Sequence, residues 1–387
     1  MTEIQKAAYD LTYLTVCGVN DICPDIERVK RMNLTIIFEL SMNQSLDAVT
    51  CMALEKIDEF TGKLADKWKE RKNMALRKNI MLTIERENLF NWLNENGIWY
   101  LPLKGIIIDH LYPKAGMRQM SDNDILFDKA YKFEVKNWFI EQGYSVESYD
   151  ESNHDIYKKP PVLNFEMHKA LFNYGLSQQW IEYWENINQR LVKCPDTKCG
   201  YLMTNEDFYI YIVNHSYKHF SHSGTGLRTL MDFYILLKTY ECTMDWKYVY
   251  EELKKLGLSE YEEKMHDLQN SVFKNNNFNY DILTENQKET LDYLLNSGTY
   301  GTLKNKVDNR VDEIQGNNGK PGVITIFKYL KERIFLNDDY FKSNKKLKKI
   351  RSNPLLYTWF IIKRIAKGST TKLKSTLEEI KIVFKKR

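Results

Sequence analysis

Two short apolar runs with carboxylates set inside them constrain this chain more than any other feature. DNDILF, residues 122–127, places Asp122 and Asp124 at the head of a buried-strand pattern, and LNFEMH, residues 163–168, places Glu166 between Phe165 and Met167. Residues i and i+2 of a strand point to one face, so Asp122 and Asp124 can reach one partner together. Glu166 sits where an unpaired carboxylate is costly to bury. The run IWYLPL at 98–103 reads as a further strand; it ends in Lys104 and Gly105 and leads into the helix-like IIIDHLY. Strand, glycine turn, helix is the expected order. A helix from about 129 to 142, closed by Gly143, and strands at 144–149, 154–158 and 162–168 complete a small mixed sheet.

Helical periodicity dominates on both sides of that sheet. Residues 1 to about 95 repeat apolar positions every three or four residues, as at Leu82, Leu89, Trp92 and Leu93, until Asn96 and Gly97 interrupt. Helices return from about Trp180, notably at 205–222, 229–239, 246–256 and 284–296, with loop signals at Asn275–Asn277 and at GNNGKPG, 316–322. The expected fold is therefore α+β: a small mixed β-sheet flanked by N-terminal and C-terminal helical regions. The boundaries expected are 1–97 for the first helical region, 98–175 for the sheet, 176–335 for the second helical region and 336–387 for a basic helical tail.

A hydrophobic content of 43% with 13% aromatic residues excludes a disordered chain. No basic segment leads into an apolar one at the N-terminus, and no apolar run approaches the ~18 residues of a membrane span, which predicts a cytoplasmic protein. The six cysteines lack the spacing of a disulfide framework, and Cys194 and Cys199 lack the spacing of a zinc knuckle, so a turn is expected there. Charge is uneven. Residues 341–387 hold fifteen Lys and Arg against Glu378 and Glu379, a net +13 within a total of +4, which leaves −9 for the rest.

Paired carboxylates at strand spacing suit a hard, oxygen-seeking dication such as Mg²⁺, or Mn²⁺, and two-metal phosphoryl chemistry requires such a cluster. Asp-x-Asp alone is a common turn pattern. Its position, after a strand with a glycine turn and before a strand-borne Glu, is more demanding. The run LPLKGIIIDHLYPKAGMRQMSDNDILF, then FEMH, HSYKHF and GLRTLMDFYILL, resembles the bacterial family described as uncharacterised nucleotidyltransferases, within the polymerase beta-like superfamily. The resemblance covers about residues 80–240. It implies a nucleotidyltransferase palm at 98–175, an NTP as donor, and Mg²⁺ or Mn²⁺ as cofactor. By the same resemblance Gly105 makes the phosphate-seating turn, Asp122 and Asp124 bind metal, and Glu166 is a third ligand or the base for an acceptor hydroxyl. One departure stands out: the superfamily's Gly-Gly or Gly-Ser is Lys104–Gly105 here, so Lys104 is the residue expected to bring charge to the phosphates.

Other candidates carry two readings each. Arg118 can clamp a triphosphate with its bidentate fork or order its own loop through a salt bridge. His215, His219 and His222 share a helix face without the HExxH pattern of a zinc helix, so polar packing against the palm is expected over metal binding, and the family resemblance implies that His219 is near the nucleotide. Arg228 and Asp232 are four apart and read first as an intrahelical pair, with Arg228 facing the phosphates as the alternative. His168 shares the strand face of Glu166. In the tail, Trp359, Phe360 and Ile362 either dock on the helical region or form an interfacial helix on anionic membrane.

Three functions remain open on sequence: transfer of NMP from an NTP to an acceptor that is a sugar, a small metabolite, a protein or an RNA end; sugar-nucleotide glycosyl transfer using Asp-Asn-Asp as metal motif; and a non-catalytic nucleotide-binding or membrane-associated scaffold.

Overall fold

A computed structural model describes residues 1–173, 176–316, 322–336, 341, 345–369 and 373–386. Five strands form one sheet: β1 (Tyr100–Pro102), β2 (Asn123–Phe127), β3 (Ser145–Ser148), β4 (His154–Lys159) and β5 (Leu163–His168). Their order is β1-β2-β5-β4-β3, and only the β2/β5 pair is parallel. The architecture is the α+β one expected, a small mixed sheet with helical flanks.

Alternation along the strands sorts the side chains onto two faces. Ile125, Phe127, Phe165, Met167 and Tyr157 pack with Phe139 of the helix Lys132–Glu141 and with Leu82, Leu89 and Leu93 of the long helix Lys63–Glu95. Leu101, Leu103 and Leu126 face the other way and join a larger core. That core merges the first helices, through Leu11, Leu14 and Val49, with the helices Asn205–His222, Leu227–Tyr240 and Ser259–Phe273. Gln44 ties the two ends together, its amide donating to the carbonyls of Leu294 and Leu295 while its oxygen accepts from the Leu227 N–H. The carboxylate face of the sheet thus looks toward the second set of helices.

Element edges differ from expectation by a few residues. The stretch 129–142 starts as a 3₁₀ turn, Lys129–Tyr131, because the Asp128 side chain caps Ala130 before the helix proper begins at Lys132. The long helix ends where Asn96 and Gly97 predict, with Gly97 at φ +69°. Cys194 and Cys199 lie in the turn between the two-residue strands β6 (Val192–Lys193) and β7 (Tyr201–Leu202), and both are free thiols. That ribbon extends the sheet edge, since the Tyr100 N–H donates to the Cys199 carbonyl.

Of the loop expected at 316–322, only Gly316 and Gly322 are described, and the boundary expected at 175 lies outside the described residues. Val383 of the tail joins Val307, Val311, Ile326 and Tyr329 of the helices before it in a small separate core, and Arg333 pairs with Glu379 of the tail at 2.6 Å. Of the three residues read as docking or interfacial, Trp359 and Ile362 do not dock, at 60% and 59% exposed, whereas Phe360 is half-buried beside Phe341, ring centroids 5.5 Å apart. Leu355, at 82%, is one helical turn before Trp359 and continues the face of Trp359 and Ile362. Among the described residues, no helix is long and apolar enough to cross a membrane.

Candidate active site

Strand register assembles the site. Parallel pairing sets Asp124 of β2 beside Glu166 of β5, and Asp122 lies two residues earlier on the same face. Asn123, between the two aspartates, points the opposite way, where its amide donates to the Leu82 carbonyl and accepts from Arg86. Those bonds anchor β2 to the long helix and so fix which face the aspartates take.

Asp124 is only 5% exposed and is the most heavily partnered group of the cluster. Its Oδ1 accepts from the Lys104 ammonium at 2.6 Å and lies 2.8 Å from His168 Nε2. Burial pushes its carboxyl up, but Lys104 and His168 outweigh burial and hold it well below the usual carboxylate range. Burial likewise opposes charge on Lys104, yet Asp124, with Tyr211 and Glu166 behind it, raises the ammonium's pKa. Asp122 and Glu166 move the other way. Burial and then the charge of Asp124 push both carboxyls up, with Asp122 adding to the push on Glu166. Three carboxylates crowd together with one of them neutralised by an internal cation.

Lys104 carries the backbone feature that sequence assigned to its neighbour. It is Lys104, at φ +46° and ψ −117°, and not Gly105, that makes the left-handed turn between β1 and the helix Gly105–Asp109. Such a conformation in a non-glycine residue costs on the order of 1–3 kcal/mol and persists only where surroundings enforce it. Here the Asp124 ion pair does so from one end, and the Leu103 N–H donating to the Asp124 carbonyl from the other. Gly105 is needed for space: a Cβ there would meet Arg118 Nη1 at 2.6 Å and the Met120 thioether at 3.1 Å.

Arg118 takes the salt-bridge reading of its two. Arg118 directs its fork at Asp232, Nε to Oδ1 at 2.8 Å and Nη2 to Oδ2 at 3.0 Å, and the Tyr112 hydroxyl donates to the same carboxylate at 2.7 Å. The intrahelical Arg228–Asp232 pair is therefore not formed, because a buried bidentate partner from another element outcompetes an i,i+4 neighbour. Arg228 instead donates to the Gln119 carbonyl at 3.1 Å, and with Lys78 it acts on the charge of Asp122.

The helix Asn205–His222 supplies the roof. Tyr211, His215 and Lys218 feel the charges of Lys104 or the carboxylates directly. Burial and then Lys104 pull Lys218 down to about 8, and the same pair of influences keeps His215 neutral. His219 stands beside His215, ring centroids 4.7 Å apart, and reaches the surface.

Three residues at this site escaped the sequence reading. His154 is drawn in because β4 pairs antiparallel with β5, setting it opposite His168, and its Nε2 lies 3.7 Å from Glu166 Oε2. Lys78 had no local signal, whereas Lys218 lies inside HSYKHF, three residues from His215 on the same helix face. His154 had a signal too: it opens an alternating strand next to the strand that carries Glu166 and His168.

A family model described as "Uncharacterised nucleotidyltransferase" matches residues 37–274. The chain belongs to this family. The matched region of this nucleotidyltransferase-family protein takes in the whole sheet, the three carboxylates, Lys104 and the helices that roof them, and it excludes the basic tail. No curated protein and no solved structure matches the chain.

Proposed function

We propose that this chain transfers a nucleoside monophosphate from an NTP to an acceptor hydroxyl and releases pyrophosphate. The observation that carries the reading is the β2/β5 register, which brings Glu166 to the Asp-x-Asp pair on one sheet face.

The donor set fits a divalent cation such as Mg²⁺ or Mn²⁺. Burial and then the charge of Asp124 hold Asp122 and Glu166 up, with Asp122 adding to the push on Glu166, and a dication relieves that repulsion. Asp122, Asp124 and Glu166 would hold it; when bound it supplies charge neutralisation at the reacting phosphate. The remaining work falls to the chain. Lys104, paired with Asp124, and Lys218, on the roof helix, neutralise the triphosphate, and Arg228, whose charge acts on Asp122, adds its guanidinium. The acceptor oxygen attacks the α-phosphorus, the bond to the β-phosphate bridging oxygen breaks, and pyrophosphate carries away that electron pair. Where Glu166, beside Asp124 in the sheet, does not ligate the cation, it takes the acceptor proton. His219, exposed on the roof helix beside His215, is on this reading a contact for the nucleotide. Arg118 supports this set from behind through Asp232.

Cell extract incubated with the protein and NTP labelled at the α-phosphate tests the proposal, with products read by mass spectrometry. Label should enter an acceptor from α-labelled but not γ-labelled NTP, and an Asp122→Asn, Asp124→Asn double variant should transfer none. Transfer of sugar from a UDP-sugar instead would favour the glycosyltransferase reading. One observation supports a non-catalytic nucleotide-binding role: Lys104 already supplies Asp124 with a cation. Tight NTP binding by calorimetry without metal, with no label transferred, would establish that alternative.

A further inference from the structure

We propose that His154, Glu166 and His168 form a binding site for a first-row transition-metal dication, on the β4/β5 side of the carboxylate cluster. The inference refines what the proposed catalytic cluster holds, and it is measurable with no nucleotide present.

Topology makes the site without any loop. His154 and His168 are directly opposite in the antiparallel β4/β5 pair, and Glu166 precedes His168 by two residues, so all three side chains leave one face of two adjacent strands. Each imidazole Nε2 lies 3.7 Å from Glu166 Oε2, the rings are 5.0 Å apart, and one ligand atom from each residue falls within 4.8 Å of the others. Metal–ligand bonds of about 2.0–2.2 Å put two donors on the same ion roughly 3.0–3.5 Å apart. The observed separations therefore need only small side-chain rotations to close on an ion. Among the described residues this is the group of three His, Cys or carboxylate side chains with that spacing.

Hydrogen bonding prepares His154 as a ligand. The Asn153 amide nitrogen donates to the Ala170 carbonyl at 2.9 Å, which turns its oxygen toward His154 Nδ1 at 3.2 Å. An amide oxygen only accepts, so Nδ1 carries the proton and Nε2 keeps its lone pair, aimed at Glu166. In the ion-free site Asp124 Oδ1 accepts from His168 Nε2–H at 2.8 Å, so an ion at Nε2 must displace that proton, which Nδ1, buried without a hydrogen-bond partner, can take; Asp124 then becomes a fourth donor within reach. Two imidazole nitrogens with one or two carboxylate oxygens suit Mn²⁺, Co²⁺ or Zn²⁺; Mg²⁺ prefers an all-oxygen shell and keeps its waters. Lys104 competes for Asp124 and its charge acts on both imidazoles, though it hydrogen-bonds to neither, so a bound ion must draw Asp124 from the ammonium.

Co²⁺ titration of the nucleotide-free full chain, followed by its visible d–d absorption, tests the assignment. One equivalent should bind with a nitrogen-containing ligand field and resist a tenfold excess of Mg²⁺. His154→Gln, at a half-buried position with folding checked by circular dichroism, should weaken Co²⁺ by about tenfold or more. Glu166→Gln should do the same, whereas Asp122→Asn should keep the Co²⁺ spectrum while losing label transfer from NTP. Absence of a visible band, displacement by Mg²⁺, or equal titration of wild type and His154→Gln would overturn it. Loss of transfer with the spectrum intact bears on the nucleotidyl-transfer reading alone.

Discussion

Replacing Asp232 by Asn tests whether Arg118 is a structural anchor or a group that meets ligand. Both side chains are about one-tenth exposed, and the pair makes two charge-assisted bonds at 2.8 and 3.0 Å while Tyr112 donates a third at 2.7 Å. Solvent screening is slight at that depth, so the uncompensated guanidinium left in Asp232→Asn should cost about 3–5 kcal/mol. At roughly 2–4 °C per kcal/mol for a unit of this size, thermal unfolding should shift down by about 6–20 °C. Arg118→Met leaves a buried carboxylate and should cost a similar amount. The double variant Arg118→Met, Asp232→Leu removes both charges and should recover most of the loss, because replacing a buried pair by apolar groups is often close to neutral. Differential scanning calorimetry of the four proteins supplies the cycle. The reasoning fails if Arg118→Met melts like wild type but loses NTP affinity, which would make Arg118 a phosphate clamp.

Further substitutions probe the same wall. Gly105→Ala should destabilise by about 1–3 kcal/mol by driving Arg118 Nη1 from its 2.6 Å approach, and it should gain nothing from helix propensity; an unchanged or raised melting temperature would contradict this. Lys104→Met should tighten Mn²⁺ about tenfold, by freeing Asp124, and weaken NTP about as much; calorimetry showing both affinities unmoved would refute the exchange. The Glu262 hydrogen bond, against burial, raises the pKa of His266 above its ordinary 6.5. Its stabilisation is therefore complete below about pH 6.5 and is lost as pH rises through the higher folded value. His266→Gln should flatten the fall in denaturation midpoint between about pH 6 and pH 8, and an equally steep fall in the variant would assign the effect elsewhere. Finally, Leu355, Trp359 and Ile362 lie exposed on one helix face in a +13 tail, so the chain should sediment with vesicles rich in anionic lipid. Trp359→Glu should abolish that, and sedimentation with neutral vesicles alone would refute it.

What was legible in the sequence follows from the range over which each signal acts. Strand alternation is local, so DNDILF and LNFEMH declared both their elements and the face of their carboxylates. The helix end at Gly97 was equally local. Register is not. Nothing in either segment says that β2 and β5 pair in parallel with Asp124 beside Glu166, or that β4 sets His154 opposite His168; those facts arise from how five strands share two helical layers. The same limit explains Arg228 and Asp232. An i,i+4 spacing proposes the nearest partner, whereas the buried fork of Arg118, 114 residues away in sequence, makes the better bond. The turn was misassigned for a different reason: glycine is the default for positive φ, but at Gly105 side-chain volume decides, and the strained φ falls on a lysine whose ammonium has a reason to be there.

That lysine is the point on which the charge balance of the site turns. Asp122, Asp124 and Glu166 face Lys104, Lys218, Lys78 and Arg228, so the ligand-free cluster meets its own cations on every side. On the nucleotidyl-transfer reading, an NTP accompanied by dications brings negative phosphates to the lysines and positive charge to the carboxylates. Each internal ion pair can then be exchanged for a ligand pair without leaving a buried charge unmatched, which is the condition for a buried site to change partners cheaply. Lys104 can make that exchange because its strained turn holds the ammonium within 2.6 Å of Asp124 while its backbone opens the helix beside the phosphate-seating position. A Gly-Ser turn would seat phosphate with a neutral hydroxyl and leave Asp124 uncompensated until metal arrived. Lys104–Gly105 instead holds Asp124 below the usual carboxylate range, so that carboxylate is ionised over a wider range of pH than an unaccompanied one would be.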